Sequence, residues 1–223
     1  MSAGTPFRIA ILISGRGSNM IAIARACLAG SIAAQVAVVI SDRADAAGLA
    51  GAAELGIETA TVLQPQTGGG STFERSLAAA LDAHQPDVIA LAGFMRILSG
   101  RFVEHYLGRM LNIHPSLLPA YRGLHTHRRV LEAGDTEHGA SVHFVTAELD
   151  GGPVVLQSKV AVEPGDTEAT LSARVQAAEH IIYPRVLGWC AQRRLAWREG
   201  GAWLDGRRLE APIVEDFHAA ARN

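Results

Sequence analysis

The 223-residue sequence predicts an α/β fold, a twisted and mostly parallel sheet with helices on both faces. Three observations carry that expectation. Arg8-Ile9-Ala10-Ile11-Leu12-Ile13-Ser14 is a near-continuous apolar run rich in β-branched residues, which suits a strand buried on both faces. Similar runs recur in alternation with helical patterns, the spacing of strand–helix–strand units in a Rossmann-like sheet. Beyond residue 100 the pattern changes to short and paired strands, so the C-terminal half is expected to add mixed or antiparallel strands.

The elements follow in order. The first strand breaks at Gly15-Arg16-Gly17-Ser18-Asn19, and a helical pattern runs from Met20 to Leu28 and stops at Gly30. Gln35–Ile40 is a second strand ending at Ser41-Asp42, and an Ala-rich helical segment closes at Gly56. Ile57–Leu63 is a third strand candidate, followed by a Gly- and Pro-containing loop over Gln64–Ser71. Thr72 is placed as N-cap of a helix to His84 that carries Phe73, Leu77 and Leu81 on one face. Asp87–Ala92 is a fourth buried strand. In the second half, Met110–His114 is a short strand running into Pro115. Ser141–Val145 and Val154–Val162 are expected to pair, joined through Asp150-Gly151-Gly152-Pro153. Thr167–Tyr183 is a long helix ended by Pro184, and Leu195–Leu209 has two Trp-bearing segments split by glycine turns, the pattern of hairpins. Residues after Pro212 are expected to be a dispensable tail.

Composition narrows the function classes. Hydrophobic residues make up 48 % and charged residues 19 %, too apolar for a disordered chain. A net charge of −2 gives no global basic field for nucleic acid or anionic lipid. The longest apolar runs fall far short of the ~18 residues of a membrane span, and the N-terminus lacks a signal-peptide pattern. Cys27 and Cys190 form neither a disulfide framework nor a paired-Cys metal motif, so a cytoplasmic, reducing compartment is expected. The length fits one domain, residues 1–223, with a nucleotide-binding lobe over 1–100, a catalytic lobe over 101–212 and the tail over 213–223. Monomer and homodimer are both open.

Three stretches can carry chemistry. Gly15, Gly17, Ser18 and Asn19 precede a helix whose free N–H groups, macrodipole and Ser hydroxyl can hold a phosphate. The third glycine of a dinucleotide loop is Met20 here, the nearest downstream acid is Asp42, and the Lys of a P-loop is missing, so one phosphate fits better than a pyrophosphate. The same residues equally suit a tight turn with a Ser/Asn cap and no ligand. Asn112 and His114 are two apart on a strand, hence on one face, at a carboxyl end where open α/β sheets bind ligands. Asn can donate to a developing oxyanion, and His can move a proton or supply positive charge; an ordinary strand end with a hydrogen-bonded His fits the spacing too. Thr146–Gly152 places two acids beside a Gly-Gly turn that permits close backbone approach, or forms a solvated turn. A carboxylate brought beside His114 favours the imidazolium form. Six of nine His fall between His105 and His143, but no ligand spacing accompanies them, so a polar cleft is preferred to a metal site. Both cysteines sit among apolar neighbours and are expected in the core.

Taken together, five motifs in register resemble the folate-dependent glycinamide ribonucleotide formyltransferases of purine synthesis. They are Ile13–Asn19, Leu91–Leu98, Leu111–Pro119, Gly123–His127 and Glu148–Pro153, and the resemblance covers nearly the whole span from Arg8 to Leu209. It implies the formyltransferase fold and transfer of a formyl group from the co-substrate 10-formyltetrahydrofolate to the glycyl amine of the ribonucleotide, without a metal. It implies Asn112, His114 and Asp150 as the catalytic trio, with Asn112 and protonated His114 stabilising the tetrahedral oxyanion and Asp150 supporting the imidazolium. It implies Gly17, Ser18 and Asn19 at the ribonucleotide phosphate, with Glu179 a further ribonucleotide contact that a solvated helix face would also explain. On the folate side it implies Met95, Arg96, Ile97 and Leu98 with Asn112, and the loop from Thr146 to Asp150 closing over the other side. One departure stands out: Gly70, within Gly68-Gly69-Gly70-Ser71, falls where members of that family can carry a basic residue that contacts folate. Arg75 is a substitute for it, and the glycines suggest a mobile lid. Methionyl-tRNA formyltransferases resemble this pattern but carry a C-terminal RNA-binding domain, and formyltetrahydrofolate hydrolases usually an N-terminal regulatory one. A non-catalytic folate or nucleotide binder, or a Rossmann-type dehydrogenase, are the readings from another class.

Overall fold

The computed structural model describes residues 6–64 and 70–217. An eight-stranded sheet has the order β11-β7-β6-β5-β4-β1-β2-β3, where β1 is Phe7–Ile13, β2 Ala34–Ser41, β3 Thr59–Thr61, β4 Val88–Leu91, β5 Met110–His114, β6 Glu137–Phe144, β7 Val154–Ala161 and β11 Ile213–Asp216. Only β6 runs against its neighbours; every other pairing in this sheet is parallel. The mostly parallel sheet and the pairing of β6 with β7 match the sequence expectation. A second sheet, β8 (Leu195–Arg198), β9 (Gly201–Leu204) and β10 (Arg207–Arg208), is the antiparallel hairpin pair expected at the tail.

Strand alternation divides the core in two. Ile9, Ile11 and Ile13 of β1 face a cluster with α1 (Ser18–Leu28) and α6 (Glu168–Ala191), while Ala10 and Leu12 face Phe73, Leu77 and Leu81 of α3 (Gly70–His84) and Phe102 of α4 (Gly100–His105). Leu111 and Ile113 of β5 join the first cluster and Met110 the second. Asn112 and His114 therefore project to the α3/α4 face. The strand order reverses between β1 and β4, the topological switch where open α/β sheets form a ligand crevice at the strand carboxyl ends. The two loops that leave those ends are stitched together: the Ser14 N–H donates to the Gly93 carbonyl at 3.1 Å, and the Met95 N–H donates to Ser14 Oγ at 2.8 Å.

Several sequence expectations need correction. Thr72 is not an N-cap but lies inside α3, which already begins at Gly70. Pro184 does not end the long helix; α6 continues to Ala191 with Pro184 inside. The lost backbone bond is outweighed by burial of Ile182, Tyr183, Val186 and Leu187 on both sides of it, and the Tyr183 hydroxyl lies 3.1 and 2.9 Å from the Leu91 and Leu111 carbonyls, tying α6 to β4 and β5. Residues after Pro212 are not a free tail throughout. Ile213–Asp216 form edge strand β11 in register with Leu156–Lys159, secured by an Arg185–Glu215 ion pair and by the Phe217 N–H donating to the Lys159 carbonyl at 2.8 Å. Helices α2 (Ala47–Glu54), α4 and α5 (Thr126–Ala133) complete the order; α4 and α5 had no counterpart in the sequence reading.

Candidate active site

The end of β5 carries the site. The main-chain register sets Asn112 opposite His143 and His114 opposite Ser141, so His143 of β6 shares the face of Asn112. Asn112 Nδ2 donates to His143 Nε2 at 3.2 Å, and His143 Nδ1 donates to the Phe144 carbonyl at 3.0 Å, the tautomer that leaves Nε2 free to accept. Burial holds the His143 pKa below its ordinary value against the opposing influence of the Phe144 carbonyl and Asp150. A neutral His143 thus fixes which way the Asn112 amide points and leaves the second Nδ2 hydrogen uncommitted by this bond.

His114 is buried, with Nε2 donating to the Tyr121 carbonyl at 3.0 Å and Nδ1 3.5 Å from Asp150 Oδ2. Its imidazolium form would have an acceptor beside each nitrogen. Asp150 Oδ2 also accepts from the Gly123 N–H at 2.9 Å, and Oδ1 lies 3.8 Å from His143 Nε2. The Asp150 backbone is left-handed, φ 49°, a conformation Asp tolerates better than most residues. The structure therefore brings together Asn112, His114 and Asp150, three residues separated by up to 38 positions in sequence (150 − 112). His143 belongs with them. In the sequence it is one of six clustered histidines; the strand register that aims it at Asn112 has no local signal.

These groups head a cavity of about 470 Å³, within the ~300–1,000 Å³ common for small-ligand sites. Met95, Arg96, Ile97 and Leu98 line one side, and Thr146 to Asp150 line another. Met95, Ile97, Leu124 and Leu149 expose apolar surface there, which suits the flat face of a bicyclic ring. The Arg96 guanidinium is engaged by the protein: its Nε donates to buried Asp42 at 2.5 Å and its Nη1 to Gln64. Asp42 thus holds the cavity wall. Gly70 is the exposed first residue of α3 and is absent from the cavity lining, and Arg75 donates to Thr72 on the same helix. Gly68 and Gly69, on which the lid expectation rests, lie outside the described residues.

The β1–α1 loop stands at the same sheet edge but toward the other face. Gly17 caps α1 with a left-handed φ of 71° and no side-chain cap, so the first helical N–H groups face outward, the geometry of an anion site. A side chain at Gly17 would crowd Gly48 Cα at 3.0 Å, and Gly48 donates to the Gly15 carbonyl at 3.0 Å. Asn19 Nδ2 donates to Glu179 Oε2 at 2.8 Å, both residues buried. The structure thus joins Gly17–Asn19 to Glu179, and neither lines the cavity around His114.

Burial pushes the Glu179 carboxyl up to about 7, with the Asn19 bond opposing. A folded-state pKa above the unfolded value means that the native state binds the extra proton, so this contribution is complete below about pH 4.5 and fades as pH rises through about 7. Wild-type stability is expected to fall relative to Glu179→Gln between pH 5 and pH 8, by about 3 kcal/mol at most. Urea unfolding at both pH values measures it; parallel losses in the two proteins would contradict it.

His114, His125, His127 and His143 all border the cavity. His127 Nδ1 lies 3.0 Å from His138 Nε2, and burial lowers both, His138 to about 4. Among the described residues no group of three His, Cys, Asp or Glu could hold a metal ion. Cys190 is buried and Cys27 half-buried, both free, with burial raising their thiols to about 12 and about 11. No helix of the described residues is long and apolar enough to cross a membrane.

Residues 7–187 match the family model described as formyl transferase. The chain is 56 % identical over 201 residues to phosphoribosylglycinamide formyltransferase of Escherichia coli (strain K12), spanning 90 % of this chain and 95 % of the relative. It is 44 % identical over 202 residues to the enzyme of the same name from Haemophilus influenzae, spanning 91 % and 95 %. The phosphoribosylglycinamide formyltransferase structure from Coxiella burnetii, in complex with CHES, superposes with TM-score 0.88 at 46 % identity over 94 % of this chain and 100 % of that one. A relative this similar along nearly its whole length, a matched family model and a shared sheet leave one conclusion: the chain belongs to the formyl transferase family.

Proposed function

We propose that the protein transfers the formyl group of 10-formyltetrahydrofolate to the amine of 5′-phosphoribosylglycinamide, giving N-formylglycinamide ribonucleotide and tetrahydrofolate, a step of purine synthesis. The observation that carries this reading is the meeting of Asn112, His114 and Asp150 at the head of one cavity in a chain 56 % identical to the Escherichia coli enzyme.

Attack of the amine on the formyl carbon places negative charge on the formyl oxygen. Asn112 offers that oxygen the Nδ2 hydrogen that His143 does not take. His114 contributes imidazolium charge in a buried setting where a charge acts strongly. Asp150 positions His114, balances its charge and takes part in moving the amine's proton, through water where needed, to the folate nitrogen, whose bond to the formyl carbon breaks as the intermediate collapses to the formamide and tetrahydrofolate. Met95 to Leu98 and Thr146 to Asp150 enclose the pterin and exclude water. Gly17, Ser18 and Asn19 bind the ribonucleotide phosphate, and Glu179 orients Asn19 against the ribonucleotide. Holding both substrates over one sheet edge supplies the rest through proximity. We place the enzyme in the cytoplasm, as a monomer or homodimer, acting on small molecules without nucleic acid.

Purified protein is expected to release tetrahydrofolate only when both substrates are present. Release without the ribonucleotide would make it a hydrolase, and no release with both would end the assignment. Turnover is expected to survive dialysis against EDTA unchanged, since the chemistry uses Asn, His and Asp alone; loss restored by zinc would contradict this.

A further inference from the structure

A second cavity of about 490 Å³ opens at the amino ends of the strands, opposite the catalytic edge. Phe7 begins β1, Val88 begins β4 and Arg109 precedes β5, and all three border it. Five residue steps along extended β5 separate Arg109 from His114, about 16 Å of strand. The two sites are therefore distinct.

Three exposed guanidine side chains, Arg109, Arg193 and Arg198, stand on this cavity, against one carboxylate, Asp87. Asp87 accepts the Arg8 N–H at 2.8 Å and lies only loosely beside Arg193, 3.9 Å away. Arg109 is held over the Tyr106 ring at 5.2 Å and Arg193 over the Phe7 ring at 5.9 Å. Rings position these guanidinium groups without consuming their donors. Among the described residues neither Arg109 nor Arg198 has a carboxylate partner. Below them, buried Val88, Phe144 and Leu195 give the cavity an apolar wall.

We propose that this cavity binds a nucleoside monophosphate. Three arginines less one aspartate leave a local charge of +2, which matches the roughly −1.5 to −2 of a phosphate monoester. Guanidinium forks bind phosphate oxygens in pairs, and the apolar wall receives a flat base that free phosphate lacks. The volume falls in the ~300–1,000 Å³ range of small-ligand sites.

Calorimetric titration with AMP tests it, run with 5′-phosphoribosylglycinamide saturating so that the β1–α1 loop is filled. Wild type is expected to bind AMP under these conditions. Arg109→Ala/Arg198→Ala is expected to bind it at least about tenfold more weakly, with formyl-transfer kcat and KM unchanged. Inorganic phosphate is expected to bind wild type more weakly than AMP. Equal AMP affinity in the double variant, displacement of AMP by the ribonucleotide, or phosphate binding as tightly as AMP would each overturn the proposal.

Discussion

Asp150→Asn is expected to lower kcat by about 10²–10³-fold while leaving the protein folded. Asn adopts the left-handed backbone that residue 150 requires as readily as Asp does, and its amide oxygen can still accept from the Gly123 N–H. The shape of the loop is thus retained and only the negative charge is removed. That charge sits 3.5 Å from His114 Nδ1 with both side chains buried, where it is weakly screened. His114→Ala is expected to cost as much, since the proposed mechanism has Asp150 act through this imidazole. If the two act as one unit, the double variant loses little beyond either single change. Steady-state kinetics of the three variants, with circular dichroism to confirm folding, decides the matter. Multiplying losses would separate Asp150 from His114, and a loss below about threefold in Asp150→Asn would remove the carboxylate from the chemistry.

The same residues show what a sequence can and cannot disclose. The sheet was legible because its central strands are buried on both faces over most of their length: Ile9–Ile13 of β1 and Val38–Ile40 of β2 are fully buried and apolar, and runs this short and rich in β-branched residues favour strands over helices. Asn112 and His114 were legible because side chains two apart on a strand share a face whatever the tertiary structure. Their partner Asp150 came from motif resemblance, since a loop residue carries no periodic signal. His143 was hidden because its role depends on the register of β6 against β5, a contact between distant segments. Pro184 misled because a local rule about helix ends was overridden by burial on either side of it. Strand β11 was invisible for the opposite reason. Four residues at a sheet edge, half of them exposed, bury too little to leave a pattern.

Gly152→Ala is expected to destabilise the protein by about 3 kcal/mol and to lower Tm by about 6–12 °C, whereas Gly151→Ala next to it is expected to stay within about 1 kcal/mol. A Cβ on Gly152 would lie 1.9 Å from the Phe144 carbonyl oxygen and 3.1 Å from Thr146 Cγ2. That oxygen cannot step aside, because Phe144 ends β6 opposite Leu111 and its N–H is bonded to the Pro153 carbonyl at 3.0 Å. A Cβ on Gly151 would instead meet the Glu148 side chain at 2.4 Å, a flexible and exposed group that can swing off its Arg122 partner. The contrast extends to function. The Phe144 carbonyl that Gly152 crowds is the acceptor that fixes His143, and His143 in turn holds Asn112. Pushing on it displaces both the amide and the loop that carries Asp150, so Gly152→Ala is expected to lose kcat together with stability, and Gly151→Ala to keep both. Thermal unfolding and kinetics measured on the two variants side by side test this. Equal effects at the two glycines would show that the close approach at residue 152 does not govern the site.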